Sequence, residues 1–74
     1  MDLDEINFLR RLGQRIRAIR EDRKLTQQQL AEQSGLHRTF IGAVERGERN
    51  LSLLNLRIIS KALRVPLGEL FAAK

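Results

Sequence analysis

Apolar residues in this chain recur at intervals of three and four, and no segment sustains the every-second-residue alternation of a half-buried strand. The pattern predicts an all-α domain of about five helices. The first runs from about Asp4 to Asp22, with Leu9, Leu12, Ile16 and Ile19 along one stripe, Arg20 at its edge, and Asp4 and Glu5 near its positive end. The second starts at Gln27, because Thr26-Gln27-Gln28-Gln29 reads as a capping box: the Thr26 hydroxyl accepts from an orphan N–H and Gln29 reaches back. Gly35 ends it, since a residue without Cβ tolerates the left-handed conformation of a sharp reversal. A third helix spans Arg38 to Arg46 and is closed by Gly47. Leu25, Leu30, Leu36, Ile41 and Val44 supply the inward contacts of this pair, and Ala31 is small where the two helices cross.

A fourth helix, capped by Ser52, extends to about Leu63 and turns Leu53, Leu56, Ile59 and Leu63 to the core. Leu54 and Ile58 form a second apolar stripe, and a helix apolar on two faces needs a second neighbour. Val65-Pro66 then breaks the chain before a short final helix presenting Leu67, Leu70 and Phe71. Length allows one domain, residues 1–74, with a single proline and no linker or repeat. A core of this size does not obviously absorb every apolar residue, so Leu54, Ile58, Leu70 and Phe71 are assigned to a two-fold dimer contact, the alternative being a better-filled monomer core. The absence of cysteine agrees with that assignment, because disulfides and thiolate metal sites are the other supports a small fold uses.

Charge changes the picture next. Fourteen Lys and Arg against nine Asp and Glu give a net +5, which favours a polyanionic partner, the plain alternative being solvated basic residues. Placement favours the partner. On a helical wheel from Arg38 to Arg46, Ile41 and Val44 point inward, whereas Thr39, Gly42, Ala43 and Arg46 point outward with Arg38 on the flank. Small residues at Gly42 and Ala43 let a helix axis approach a groove floor, and Arg38, Thr39 and Arg46 at its borders reach base edges or phosphates of double-stranded DNA. The Glu48-Arg49-Asn50 loop follows the adjoining backbone.

The segment from Thr26 to Leu70 resembles the helix-turn-helix domain of the phage repressor and Cro class, also called the Xre family, whose fold is lambda-repressor-like. The residues that carry the resemblance are Leu25-Thr26-Gln27, Leu30-Ala31, Gly35, Ile41, Glu45-Arg46-Gly47, Leu56, Ile59, Ala62-Leu63 and Val65. Within that class, His37-Arg38-Thr39-Phe40-Ile41 followed by Val44 to Leu53 is similar to the controller proteins of restriction–modification systems. The resemblance implies phosphate contacts at Gln27, Asn50 and Ser52, base contacts at Arg38, Thr39, Arg46 and Arg49, and a buried ion pair between Arg20 and Glu45. It also implies a homodimer on a pseudo-palindromic operator and autoregulation of transcription, with Glu32 the candidate surface for RNA polymerase. Where controllers commonly have an acidic residue and a tyrosine, this chain has His37 and Phe40.

Other functions have less support. A phage-type repressor shares the motif, as does an antitoxin that acts through a protein partner as well as DNA. An enzyme is disfavoured by the lack of cysteine, of a histidine pair and of a glycine-rich phosphate loop. His37 is the sole histidine, so no metal or other cofactor is expected. The acidic start lacks the basic flank and apolar run of a signal peptide and no stretch is long enough to span a membrane, so a cytoplasmic protein is expected.

Overall fold

A computed structural model describes residues 1–72. Among these, four α-helices, α1 (Leu3–Asp22), α2 (Gln27–Ser34), α3 (Arg38–Glu45) and α4 (Leu53–Leu63), precede a 3-10 helix (Leu67–Phe71), and there is no strand. The fifth element is therefore not α-helical. The segment Leu67–Phe71 instead closes tighter bonds such as Glu69 N–H to Pro66 O at 3.0 Å.

Local chemistry fixes the ends. Asp2 Oδ1 accepts from the Glu5 N–H and Glu5 Oε1 accepts from the Asp2 N–H, each at 2.9 Å, so α1 begins one residue earlier than the charge pattern suggests. The expected box at α2 is present, with Thr26 Oγ1 accepting from the Gln29 N–H at 3.0 Å and Gln29 Oε1 from the Thr26 N–H at 2.8 Å. Gly35 takes φ +73°, and its N–H bonds Ala31 O at 2.9 Å.

The core joins Leu12, Ile16 and Ile19 of α1, Leu30 and Ala31 of α2, Ile41 and Val44 of α3, Leu56, Ile59 and Leu63 of α4, and Leu70. Two assignments change. Leu70 is only 1% exposed and belongs to this core rather than to a dimer surface, because the 3-10 helix folds back onto α1 and α4. Arg15 holds it there, with Nη2 donating to Glu69 Oε2 at 2.8 Å and Nε to Glu69 O at 3.0 Å. Leu53, expected inside, is 71% exposed: it stands in the first turn of α4, whose packed face begins at Leu56. Leu54 and Phe71 are exposed, whereas Leu9 and Ile58 are half-buried.

α1 crosses α3 at Gly13. A Cβ there would overlap Val44 O and lie 2.6 Å from Glu45 O, so only glycine lets the two backbones meet.

Candidate nucleic-acid interface

The inner side of α3 is locked to the scaffold by a buried polar network. Arg20 Nε donates to Glu45 Oε2 at 2.7 Å and Nη2 to Glu45 Oε1 at 3.1 Å, while Arg20 Nη1 donates to Leu25 O at 2.6 Å. The hydrogen bond to Glu45 raises the Arg20 pKa above the ordinary arginine value, outweighing the opposite effect of burial, so the guanidinium is charged throughout the accessible pH range. Gln27, in the first turn of α2, donates from Nε2 to Glu45 Oε1 at 3.0 Å. A single carboxylate thus ties α1, α2 and α3 together, with no buried side-chain polar atom left unpaired among the described residues.

The outer side is open. Arg38, Thr39 and Arg46 are exposed and Ala43 is half-buried, while Arg49, Asn50 and Ser52 are exposed on the segment that follows. Gly42 departs from its expected outward position: it is buried, and a Cβ there would lie 3.2 Å from Arg46 Nη1 and 3.6 Å from Gln27 Oε1. Its cover is made of polar side chains rather than core, so the small residue provides room for Gln27 and Arg46 to lie across α3.

The loop after α3 is held firmly. Gly47 adopts φ +75°, its N–H bonds Val44 O at 3.0 Å and the Glu48 N–H bonds Ala43 O at 2.9 Å. Arg46 Nε pairs with Glu48 Oε1 at 3.1 Å. The Arg49 guanidinium lies over the Phe40 ring, 5.2 Å from its centroid. Ser52 Oγ accepts from the Asn55 N–H at 3.0 Å, capping α4. His37 occupies the N-cap of α3 without a side-chain bond, so that helix starts unaided by its cap side chain. Glu32 is exposed on α2 and accepts from Gln28 Nε2 at 3.2 Å.

Phe8 of α1, which shares a surface hollow with Asn50, stacks on Phe71, with centroids 6.3 Å apart and planes 21° from parallel. Sequence reading passed over Phe8, although it stands outside the α1 core stripe with nothing in the pattern to cover it. No helix is long and apolar enough to cross a membrane, and no cluster of candidate metal ligands occurs among the described residues.

Residues 16–70 match the model of a helix-turn-helix family. The chain belongs to that helix-turn-helix family. Control protein C.SmaI of Serratia marcescens is 49% identical over 70 residues, covering 95% of this chain and 77% of that protein. Control protein C.BamHI of Bacillus amyloliquefaciens is 50% identical over 54 residues, covering 72% of this chain and 67% of that protein. The crystal structure of the restriction–modification controller protein C.AhdI from Aeromonas hydrophila superposes with a TM-score of 0.84 at 46% identity, covering 85% of this chain and 96% of that one. Sequence and fold thus both place this helix-turn-helix protein beside the restriction–modification controllers.

Proposed function

We propose that this helix-turn-helix protein is a transcription regulator of the restriction–modification controller type, made of a single domain, that binds a pseudo-palindromic operator as a homodimer. The observation that carries this reading is the asymmetry of α3: its inner side is locked by Glu45, and its outer side offers Arg38, Thr39 and Arg46 to solvent beside the basic loop. α3 enters the major groove, where Arg38, Thr39, Arg46 and Arg49 meet base edges. Gln27 retains one amide hydrogen beyond its bond to Glu45 and sits at the start of α2, where that hydrogen and the free backbone N–H groups receive a phosphate. Asn50 and Ser52 receive others along the same strand. Pairing through Leu54 and Phe71, joined by Phe8 and the half-buried Ile58, sets the two α3 helices about 34–36 Å apart for successive half-sites. Glu32 is assigned to RNA polymerase in the activating complex.

The test takes a duplex enriched by the wild-type chain from a randomised pool and titrates it over a series of salt concentrations. Log affinity should fall linearly with log salt, by about 0.9 per neutralised phosphate. A flat series, or a pool that yields no preferred sequence, overturns the reading. Sedimentation of the wild type and of a Leu54→Asp, Phe71→Asp double variant tests pairing separately, and a monomeric wild type at micromolar concentration removes the two-fold arrangement.

A further inference from the structure

Phe40 and Arg49 are both fixed by the fold. Phe40 is half-buried in the first turn of α3 and packs against the core, which restricts its ring. Arg49 leaves a loop anchored by Gly47, where a Cβ would lie 2.7 Å from the Arg10 Cα, and by the Glu48 N–H bond to Ala43 O. The neighbouring carboxylate of Glu48 pairs with Arg46, which leaves the Phe40 ring face as the contact for the Arg49 guanidinium. A cation over a ring face is attracted by the ring's quadrupole, and the N–H donors at the edge of the guanidinium remain free. The pair lines a shallow hollow with Thr39 and Ala43, on the side of α3 that faces solvent.

We infer that Phe40 is a positioning residue for Arg49: its ring holds the guanidinium at the hollow beside Thr39 and Ala43, so that Arg49 meets a base edge and contributes to sequence discrimination. This rests on the proposed DNA-contacting role of Arg49. A free arginine on a loop loses side-chain entropy when it docks, whereas one already stacked has lost much of it. The fork of in-plane donors on a held guanidinium matches the paired acceptors of a guanine edge. Tyrosine offers the same ring face, so Phe40→Tyr keeps the stack and adds only a hydroxyl.

The test compares affinity for the duplex enriched by wild type with affinity for a random duplex of equal length. Phe40→Leu should lower that ratio by about 2- to 5-fold, the size of an exposed cation–ring contact, with an unchanged salt slope. Phe40→Tyr should restore the ratio, and Phe40→Met, which fills space without a ring face, gives the same readout as Leu should Leu compromise folding. On an Arg49→Ala background, Phe40→Leu should cause no further loss. An equal loss on that background shows that Phe40 acts independently of Arg49 and overturns the inference, as does a loss shared equally by both duplexes. If Arg49→Ala alone leaves affinity and ratio unchanged, the DNA-contacting role of Arg49 itself fails.

Discussion

Along the inner side of α3, Ile41 and Val44 are sealed and Glu45 accepts three hydrogen bonds, while along the outer side Arg38 and Thr39 make no side-chain hydrogen bond among the described residues. Eight residues thus carry two opposite designs, separated by less than half a helical turn. The contrast teaches where rigidity is placed. A helix that is to read a surface gains from outward donors its own chain leaves free, as at Arg38 and Thr39. Only Arg46 at its end is paired among the described residues, to Glu48, so most of its orientation has to come from the other side. Gly13, Arg20 and Gln27 supply that orientation from α1 and α2.

Breaking the inner side should have the largest effect. Glu45→Ala leaves the Arg20 guanidinium, whose side chain is only 9% exposed, without its carboxylate, and should lower unfolding free energy by about 3–5 kcal/mol in urea denaturation. Glu45→Gln keeps the shape and one acceptor and should lose less. Under conditions where either variant remains folded, the loss of the carboxylate that orients α3 should also lower its ratio of affinity for the enriched and random duplexes. A folded variant with an unchanged ratio would mean that Gly13 and the apolar core orient α3 without Glu45. Because Arg20 has a raised pKa, its stabilising contribution is present below the unfolded value and is lost only as pH rises through the still higher folded value. Stability supplied by the Arg20 charge should accordingly show no step across neutral pH.

The outer side should respond in the opposite sense. Arg38→Ala should leave the urea midpoint near wild type, because the residue is exposed and makes no ion pair among the described residues. It should remove about 1–3 kcal/mol of discrimination between the enriched and random duplexes, the worth of a good bidentate base contact. Equal weakening on both duplexes would reassign Arg38 to a phosphate.

How far these designs were legible follows from what each depends on. Caps and turns were readable because they are local: the Thr26 box and the left-handed Gly35 are specified within a few residues. The Arg20–Glu45 pairing came from resemblance, and its wheel positions agreed with it, but no sequence rule would extend it to Gln27. Periodicity leaves Leu70 at the surface because its burial depends on how the segment after Pro66 folds back onto α1 and α4, where Arg15 bonds Glu69 from 54 positions away. Gly13 carries no local signal for the same reason: its need appears only when the α3 carbonyls arrive. The stack of Arg49 on Phe40 joins a helix to a loop, and periodicity does not see it.

The smallest expected effect lies at Ser52, where the two designs meet in one hydroxyl. Its oxygen caps α4 by accepting from the Asn55 N–H at 3.0 Å, and the proposed function has it also donate to a phosphate. Ser52→Asp separates the roles, because aspartate caps as well as serine and suits a helix N-terminus, so unfolding free energy should stay within about 0.5 kcal/mol of wild type. A carboxylate facing a phosphate oxygen at about 4 Å in a water-rich setting costs on the order of 1 kcal/mol. Affinity at low salt should therefore fall about fivefold on enriched and random duplexes alike, and the deficit should shrink as salt is added. Ser52→Ala removes cap and phosphate donor together, with about 1 kcal/mol lost from stability and a weaker, salt-insensitive loss of affinity on both duplexes. Should Ser52→Asp bind DNA as tightly as wild type at low salt, Ser52 is a cap alone, and the phosphate-contacting strip ends at Asn50.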